Sequence, residues 1–403
     1  MKVLYISTFV NKTTLSSLEE TVRGEITVSA NKYSELIRKG LEADQRIDLK
    51  CIFTPSIGDY SITKIGYYYP KKDRNDPVGI YLSCINIVVL KQLIITLKIF
   101  FYTLHWFIAN FFVKEKIVMF SSIQLPFLIA VLPFKMFRLK IVSFVPDLPN
   151  FQYNYTTIDG NIKKYILPLY IVLCNFLYHI ISYFVYITKH MVVKFPKRPY
   201  MIMEGLVEKR ISKNIVHKLP VFSVMYAGAL YETMGIKKLL EAIELMEYNA
   251  AIVFYFFGKG DMTSLIQEKS KTDKRIVYGG VVPNEEILLF EKKVNLLINP
   301  RPTNQKYTKY SFPSKLMEYM LSGTPILTTK LAGIPECYYD KMYFIDDETS
   351  IGMKGAIEAC MNKPRTELMQ FGEVAKEYVL SNKNYIHQIV KVILDVNEKL
   401  FSR

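Results

Sequence analysis

The sequence is poor in the residues that build disulfides and metal sites. Its 403 residues include 5 cysteines, 5 histidines and 1 tryptophan. The cysteines form no C-x-x-C pair and the histidines are dispersed along the chain. We therefore expect a buried, reduced set of cysteines, typical of a cytoplasmic protein, and neither a disulfide-stapled module nor a metal site built from side chains.

Acidic residues are scarce relative to basic ones. The chain has 52 lysines and arginines against 37 aspartates and glutamates, a formal net charge of +15. This excess favours an anionic partner, which is a nucleic acid, a membrane surface or a phosphorylated substrate. Half of the residues are hydrophobic, which excludes a disordered chain. The length favours two domains, each with its own core.

Uninterrupted apolar runs are also rare. Residues 80–113 are very hydrophobic, but Lys91 and Lys98 interrupt them. Residues 165–187 contain no charged side chain, but Pro168 and several polar residues fall within them. This second stretch is compatible with a buried helix followed by a strand, with an amphipathic helix lying on a surface, or with a membrane span.

Strand and helix patterns alternate along the chain. The first strand is too short for the apolar region of a secretory signal. Strands are predicted at 3–8, 49–53, 117–120, 141–145, 183–187, 221–227, 251–257, 276–278 and 296–298. Helices are predicted at 27–40, 236–246, 315–323 and 385–400. This alternation predicts an α/β fold with parallel sheets built from βαβ units.

The division into domains follows from the proline-rich, charged stretch near residue 200. We expect an N-terminal Rossmann-like domain at 1–198, a linker at 199–220 and a C-terminal Rossmann-like domain at 221–383. A C-terminal helix at 384–403 completes the chain. In such sheets, ligands bind at the carboxyl ends of the strands.

Glycines follow two of the predicted C-terminal strands. Gly228 lies between a strand and a helix, and Gly258 and Gly260 follow the next strand. A glycine at such a turn lets the backbone approach a phosphate, and the helix N-terminus supplies amide donors. Each glycine alone is more typical of an ordinary tight turn than of a phosphate site.

The segment 299–325 combines cations with a carboxylate. The loop 311–314 enters a helix near Lys315, where free amides and the ammonium group suit a diphosphate. Glu318, one turn further, suits a ribose diol, and Arg301 follows a strand. Taken alone, Glu318 is also typical of a solvated helix charge, and Arg301 of a surface cation.

Together these motifs resemble the C-terminal domain of retaining glycosyltransferases with the GT-B fold, family four (group 1), of capsule, exopolysaccharide and lipopolysaccharide assembly. The matching segments are YAGALYETMGIKKLLEAI, FFGKGD, VYGGVVPNEEI, FPSKLMEYMLSGTPILTT and AGIPE. The N-terminal half matches more loosely, through Arg23-Gly24 and FVPDLPN at 144–150. The resemblance implies two Rossmann-like domains that face a central cleft, with the C-terminal helix crossing back to the N-terminal domain.

The resemblance also implies roles for single residues. Gly228 would face the donor diphosphate, and Glu318 corresponds to the second glutamate of an E-x7-E signature, which binds the ribose. Val281 and Val282 would lie beside the base. The implied donor-binding set is Gly228, Gly258, Gly260, Val281, Val282, Tyr310, Ser311, Phe312, Pro313, Ser314, Lys315 and Glu318. The implied acceptor-side set is Arg23, Gly24 and Asp147.

Three residues depart from the family pattern. Tyr310 stands at the first glutamate of the signature, and Ala229 and Met234 stand where an arginine and a lysine are common. We therefore expect Arg301 and Lys315 to supply the catalytic cations, because the leaving nucleoside diphosphate develops negative charge. The resemblance implies that this occurs without a metal or other cofactor.

Asp147 is the third candidate catalytic residue. It matches the aspartate of a frequent His-Asp pair, whereas Pro146 occupies the histidine position. The resemblance thus implies that Asp147 orients the acceptor hydroxyl. In retaining transfer, the donor's own phosphate is often proposed as the base.

The N-terminal half is both basic and apolar. Residues 80–146 contain seven lysines and arginines and one acid, Glu115, a local charge of +6. Such a surface suits anionic lipid headgroups, although a solvated basic face around a large core is the alternative. In the resembling family the acceptor is often a lipid-linked saccharide. The resemblance therefore implies a cytoplasmic protein held on the inner face of the plasma membrane.

The expected function is transfer of a hexose or related sugar from a UDP- or GDP-linked donor to a lipid-linked oligosaccharide. A non-catalytic GT-B scaffold is the alternative, because of Tyr310, Ala229 and Met234. A nucleotide-dependent oxidoreductase is disfavoured, since G-x-G-x-x-G does not follow the first strand. A nucleic-acid-binding protein is disfavoured because the charges lie among long aliphatic runs.

Overall fold

The computed structural model describes residues 1–11, 13–14, 28–58, 60–71, 76–149, 160–209, 216–248 and 251–402. Arg23 and Gly24, the predicted acceptor-side pair, lie outside the described residues. The chain folds as two compact units, each described by itself. Unit 1 contains Met1–Leu206 and Tyr385–Arg403, and unit 2 contains Val207–Asn384.

Unit 1 is built on a seven-stranded sheet. Its seven strands are β1 (Lys2–Thr8), β2 (Asp48–Thr54), β4 (Gly79–Tyr81), β6 (Lys116–Phe120), β7 (Lys140–Val145), β8 (Tyr183–Tyr186) and β9 (Tyr200–Ile202). A separate, short antiparallel pair is formed by β3 (Tyr67–Tyr68) and β5 (Cys84–Ile85). The order in the sheet is β4-β2-β1-β6-β7-β8-β9, with parallel pairing throughout. β9 lies within the stretch predicted as a linker.

The helices of unit 1 cover both faces of this sheet. They are α1 (Val28–Ala43), α2 (Tyr60–Thr63), α3 (Val88–Ala109), α4 (Leu125–Val131), α5 (Gly160–Leu177) and, at the end of the chain, α12 (Tyr385–Phe401). The 165–187 stretch is therefore the end of α5 followed by β8. Beyond residue 166, where the side chains are described, α5 lies on the surface.

Unit 2 is built on a six-stranded parallel sheet. Its strands are β10 (Phe222–Ala227), β11 (Ile252–Phe257), β12 (Ile276–Gly280), β13 (Leu296–Asn299), β14 (Ile326–Thr329) and β15 (Tyr343–Ile345), in the order β12-β11-β10-β13-β14-β15. Its helices are α6 (Ile236–Leu245), α7 (Thr263–Thr272), α8 (Asn284–Lys293), α9 (Ser314–Ser322), α10 (Ser350–Met361) and α11 (Arg365–Asn382).

Continuous apolar runs explain the central strands. β1 reads KVLYIST, and its five middle residues are buried. Side chains alternate between the two faces of a strand, so an uninterrupted run is buried only where helices cover both faces of a parallel sheet. β10 is buried along its whole length in the same way.

The C-terminal helix α12 belongs to unit 1 and packs on α1. Ile389, Val392, Ile393 and Val396, spaced as on one helix face, join the core formed by α1 and the sheet. A Cβ added at Gly40 of α1 would lie 2.6 Å from Ile389. The close approach of the two helices therefore depends on this glycine. Among the described residues, the core between the sheet and the helices α1 and α12 contains no residue of α3, α4 or α5. These three helices lie on the other face of the sheet.

The cysteines deviate in one place from the expected buried set. Cys51, Cys84, Cys174 and Cys360 are free thiols in buried positions. Cys337 is also free but exposed, because it lies on the short surface 3₁₀ helix Glu336–Lys341.

Candidate functional site

The order of the strands in unit 2 creates one point where the chain reverses its direction across the sheet. From β10 the chain moves outward to β11 and β12, and it returns to the other side of β10 with β13. The loops that follow β10 and β13 therefore diverge at the carboxyl edge between these strands. Open α/β sheets bind their ligands at such a point.

Glycines allow the loops after β10 and β11 to approach each other at this edge. A Cβ at Gly258, where φ is +126°, would lie 1.9 Å from the carbonyl oxygen of Gly228. A Cβ at Gly260 would lie 2.2 Å from the carbonyl oxygen of Leu230. The structure thus brings the predicted Gly228, Gly258 and Gly260 together, because the two loops can lie in backbone contact only where glycine leaves out a side chain.

The turn before α6 meets the loop after β13 in the same way. Gly235 has a φ of +83°, and a Cβ there would lie 1.9 Å from the carbonyl oxygen of Pro300. Only glycine fits this left-handed, crowded position. The contact places the N-terminus of α6 next to Arg301.

Arg301 is the cation at the reversal point. Its Nη2 lies 3.2 Å from the Sδ of Met234, and its guanidinium lies 5.7 Å from the centre of the Tyr307 ring. Its Nε is buried and donates no hydrogen bond, and no carboxylate of the described residues pairs with it. A thioether is a weak acceptor, so this guanidinium keeps donors for a stronger anionic one.

Tyr226 lies beside this cation at the end of β10. Its hydroxyl donates to the carbonyl oxygen of Ala229 at 2.8 Å and so fixes the first turn of the loop. Burial raises the pKa of Tyr226 well above its usual value, while the positive charge of Arg301 lowers it in part. The hydroxyl therefore remains a neutral hydrogen-bonding group.

Lys315 is held by carboxylates, in contrast to Arg301. Its Nζ lies 2.8 Å from Glu318 Oε2 and 4.0 Å from Oε1 of the fully buried Glu291. The structure thus brings the predicted Lys315 and Glu318 together as an ion pair on one face of α9. Arg301, rather than Lys315, is the cation of the site without a carboxylate partner.

The loop before α9 contributes a second polar atom without a partner. The Oγ of Ser311 is buried and makes no hydrogen bond in the described part of the chain. A Cβ at Gly333, in the loop after β14, would lie 2.0 Å from the carbonyl oxygen of Ser311, so this loop packs tightly behind it. Tyr310 lies on the short 3₁₀ helix Thr308–Tyr310, with Lys309 5.0 Å from its ring centre.

The N-terminus of α9 follows directly. Phe312 and Pro313 are buried, and α9 begins at Ser314 with no side-chain cap on its first amides. Such amides carry the positive end of the helix dipole and suit a phosphate. The helix ends at Gly323, where φ is +76°.

Tyr319 positions α9 and was not predicted from sequence. Its hydroxyl accepts a hydrogen bond from the amide of Ala227 at 3.0 Å and donates to the Ala227 carbonyl at 3.3 Å. It thereby ties the middle of α9 to the end of β10, next to Gly228. The helical pattern indicates that Tyr319 faces the core, but no sequence signal indicates which backbone group its hydroxyl meets.

Val281 and Val282 follow β12 at the far side of the same edge. Val281 is 69% exposed, and Gly280 before it has a φ of +74°. The turn thus exposes an apolar side chain together with backbone groups. A nucleotide base can pack its flat face on the first and form hydrogen bonds with the second.

In unit 1, Asp147 follows β7 at the carboxyl edge of the sheet. Its side chain reaches solvent, yet the protein around it desolvates the carboxylate and raises its pKa above the ordinary value. The nearby Tyr33 has its pKa raised mainly by burial and also by Asp147. At the same edge, the hydroxyl of Ser7 at the end of β1 donates a hydrogen bond to the hydroxyl of Ser121 after β6, at 2.8 Å. β6 lies between β1 and β7 in the sheet.

Several of the basic residues in the 80–146 stretch bind the protein's own oxygens. Lys91 is buried and donates to the Ile57 carbonyl at 2.8 Å, and Lys98 donates to the Ser83 carbonyl at 2.7 Å. Lys116 and Lys135 likewise donate to neighbouring oxygens, and burial lowers the pKa of both. Much of the local positive charge is thus used internally.

One helix of the described chain, Val89–Ala109, is long and apolar enough to cross a bilayer by length and composition alone. Its inner side is buried at Ile95, Ile99 and Phe107, and the Phe107 ring packs on Phe134 of the 3₁₀ helix Leu132–Phe137. Among the described residues, no group of three His, Cys, Asp or Glu side chains is placed to hold a metal ion.

Comparison with known proteins agrees with this architecture. Residues 221–363, which form most of unit 2, match the sequence profile of the family described as "Glycosyl transferases group 1". No curated protein sequence matches the chain.

Solved structures resemble the whole chain at low sequence identity. A sucrose-phosphate synthase from Thermosynechococcus elongatus aligns with a TM-score of 0.63 and 11% identity over 100% of this chain and 99% of the other. The lipopolysaccharide outer core galactosyltransferase WaaB aligns with a TM-score of 0.59 and 14% identity over 100% and 99%. HepE of Anabaena, in complex with UDP and glucose, aligns with a TM-score of 0.60 and 12% identity over 98% and 99%.

These similarities confirm the predicted fold. The chain has the GT-B fold, with two Rossmann-like units and a C-terminal helix that returns to the first. The profile match in unit 2 and the fold of the whole chain together support a glycosyltransferase.

Proposed function

We propose that this protein transfers a hexose or related sugar, with retention of configuration, from a UDP- or GDP-linked donor to a lipid-linked oligosaccharide during surface polysaccharide assembly. The family profile in unit 2 supports glycosyltransferase activity as such. Donor, acceptor, stereochemistry and the absence of a metal requirement are proposals.

The observation that carries the proposal is Arg301 at the reversal point of the unit 2 sheet. Among the described residues, its buried Nε has no hydrogen-bond partner and the only acceptor for its guanidinium is a thioether, and it lies beside loops that glycines allow to pack closely. A planar cation with free donors matches a phosphate oxygen. A nucleoside diphosphate is the leaving group of sugar transfer, and its developing charge would be stabilised here.

The other residues would bind the remaining parts of the donor. Glu318 would accept hydrogen bonds from the ribose diol, and the amides at the start of α9 would hold the phosphates. Val281 would lie against the base. Lys315, paired with Glu318, would add positive charge and fix the carboxylate. Asp147 of unit 1 would orient the acceptor hydroxyl.

Similar structures favour a nucleotide sugar as the donor class. HepE is described with UDP and glucose, and WaaB is described as a galactosyltransferase. For this chain, a lipid-linked acceptor implies a location on the inner face of the plasma membrane, which we propose as well.

A thermal-shift screen over UDP-, GDP-, ADP- and CMP-linked sugars tests donor binding. A ligand that binds only the folded chain, at about 100 times its Kd, stabilises it by about 2.7 kcal/mol. We expect a rise in Tm with one nucleotide class, and a much smaller rise in Arg301→Met. The absence of a shift with every nucleotide sugar would contradict the proposal.

A non-catalytic GT-B scaffold is the second candidate. Ala229, Met234 and Tyr310 favour it, because they replace charged residues of the resembling enzymes. A scaffold would bind the donor but release no nucleoside diphosphate when acceptor lipid is added. The two candidates therefore differ in turnover and not in binding.

A further inference from the structure

The layer formed by α3, α4 and α5 leaves an apolar surface uncovered. On α3, the exposed positions Val89, Leu93, Leu97 and Phe101 recur every four residues, and Ile108 follows seven residues after Phe101 on the same side of the helix. This stripe faces away from the sheet, because the opposite side of α3 is buried. A soluble surface helix normally carries polar side chains at such positions.

The stripe continues across the neighbouring helices. α4 packs against both α3 and α5. Ile129 and Leu132 are exposed at α4, Met136 is 85% exposed on the 3₁₀ helix that follows, and Phe176 is 76% exposed on α5. We call the exposed apolar side chains of these three helices the apolar face. Contiguous exposed patches of this kind mark interaction sites.

The other face of the same sheet provides an internal comparison. The outward side of α12 carries His387, Lys391, Leu394 and Glu398, a mainly polar row at the same spacing. Both helices bury one side against unit 1. Of these two helices, only α3 repeats apolar residues on its outer side. An exposed apolar row is therefore not a feature of every surface helix of this unit.

The charges around the apolar face are arranged for an anionic partner. Lys91 and Lys98 of α3 point inward and bind carbonyl oxygens, which leaves the stripe without charge. Lys114 and Arg138 are exposed at one end of the layer, after α3 and after the 3₁₀ helix Leu132–Phe137. Among the described residues of 80–146, Glu115 is the only acid. A second copy that docked through the same face would bring only Glu115 to these cations, because the described residues of α3, α4 and α5 contain no acid.

We propose that the apolar face inserts into the acyl-chain region of a lipid bilayer, with Lys114 and Arg138 at the level of the headgroups. The inner side of α3 is buried within unit 1, so the helix lies flat in the interface and does not span it. Binding then depends mainly on apolar burial and remains at high salt. This deepens the membrane location proposed above, and its test measures lipid contact independently of sugar transfer.

Quenching of a single tryptophan tests the insertion directly. The chain has one tryptophan, Trp106, which is 8% exposed on the inner side of α3. In F101W/W106F the indole moves to the apolar face. With phosphatidylcholine vesicles brominated on their acyl chains, we expect strong quenching in low and high salt. In the matched control I351W/W106F, where Ile351 is 72% exposed in unit 2, we expect none.

Vesicle flotation of the full chain measures the affinity. L93Q/F176Q should lower partitioning onto phosphatidylcholine vesicles at least about tenfold, since each removes exposed apolar surface from the lipid. The control L289Q/L394Q, exposed apolar positions elsewhere, should leave it unchanged. Added phosphatidylglycerol, an anionic lipid, should strengthen binding of the wild type. K114Q/R138Q should lose this strengthening and keep the wild-type affinity for phosphatidylcholine vesicles.

Three results would overturn the proposal. The first is quenching that is equal in the two tryptophan variants. The second is binding that needs anionic lipid and is lost at high salt, which indicates adsorption on headgroups alone. The third is a dimer in sedimentation that L93Q/F176Q dissociates while vesicles bind neither protein, which assigns the apolar face to a second copy. Circular dichroism of each variant verifies that it is folded.

Discussion

Arg301 and Met234 form the most informative contact of the candidate site. The sequence shows that position 234 lacks a cation, and the structure places the guanidinium of Arg301 3.2 Å from the Met234 sulfur. The positive charge thus lies where a long basic side chain at 234 would end. Sequence spacing cannot reveal this contact, because the two residues are 67 positions apart.

A charge-relocation experiment tests this interpretation. Arg301→Met should weaken binding of the preferred nucleoside diphosphate about 10- to 100-fold, the value of a charge-assisted hydrogen bond. M234K/R301M should recover a substantial part of that loss. Calorimetric titration measures both. If R301M binds as tightly as the wild type, Arg301 does not hold the diphosphate.

Glu318 is the second residue with a testable contact. Its carboxylate pairs with Lys315 and is partly exposed. If it also binds the ribose diol, the wild type should prefer a ribonucleoside diphosphate over its 2′-deoxy analogue by about tenfold, and Glu318→Ala should lose this preference. The preference should persist in Glu358→Ala, which breaks a helix ion pair with Lys354 elsewhere in unit 2. An equal preference in both variants would remove Glu318 from the ribose site.

At the scale of elements, α9 and β10 are coupled through one hydroxyl. Tyr319→Phe leaves the buried amide of Ala227 without its partner. We expect a loss of about 1–3 kcal/mol in the free energy of unfolding, and weaker nucleotide binding because the Gly228 loop loses its support. Urea denaturation and calorimetry measure the two effects. Tyr255→Phe, whose ring packs on Phe290, serves as the control, and an equal loss in both variants would contradict the coupling.

A buried lysine makes the stability of unit 2 depend on pH. Burial lowers the pKa of Lys218 from 10.5 to about 8. Between these values the unfolded chain retains a proton that the folded chain has released, so the free energy of unfolding rises with pH. Below about pH 8 both states are protonated, and the penalty is constant.

The prediction concerns the difference between the wild type and Lys218→Met. From about pH 7.5 to about pH 10, the wild type should gain on the order of 1–3 kcal/mol relative to this variant. Urea denaturation at several pH values measures the gain, with Lys354→Met, at a partly exposed surface lysine, as the control. A difference that stays constant with pH would show that Lys218 is not desolvated in this way.

The elements themselves follow closely from the sequence. Apolar β-branched runs predicted β1, β2, β6, β7 and β10, because a parallel sheet covered on both faces needs side chains of this kind. Gly323 lies at the predicted C-terminal end of α9, and Gly235 lies directly before the predicted start of α6. The predicted linker was less accurate, since Tyr200–Ile202 adds a strand to the unit 1 sheet.

Helix α3 shows why the surroundings of an element cannot be predicted from its own sequence. Apolar residues lie on both its buried and its exposed side, so periodicity does not show which side is buried. Its lysines suggested a basic surface, but Lys91 reaches inward to a carbonyl group of the Ile57 loop. That partner lies 34 residues away, and only the folded chain brings the two together.

At the scale of the whole molecule, the two units contribute different chemistry. Unit 2 collects the glycine turns, Arg301 and the start of α9 at one reversal point of its sheet. Unit 1 carries Asp147 and the apolar face, and it receives α12 from the end of the chain. Part of the basic excess therefore lies on lysines that bind the protein's own carbonyl groups, part at the proposed diphosphate site, and part at the end of the apolar face.

Turnover of a nucleotide sugar tests the central claim most directly. The full chain, incubated with acceptor lipids extracted from membranes and with each nucleotide sugar in turn, should release the nucleoside diphosphate from one donor only. Release should require the lipid, preserve the anomeric configuration in the product, and fall at least tenfold in Arg301→Met. A donor that binds but is never turned over would contradict an enzyme and support the scaffold.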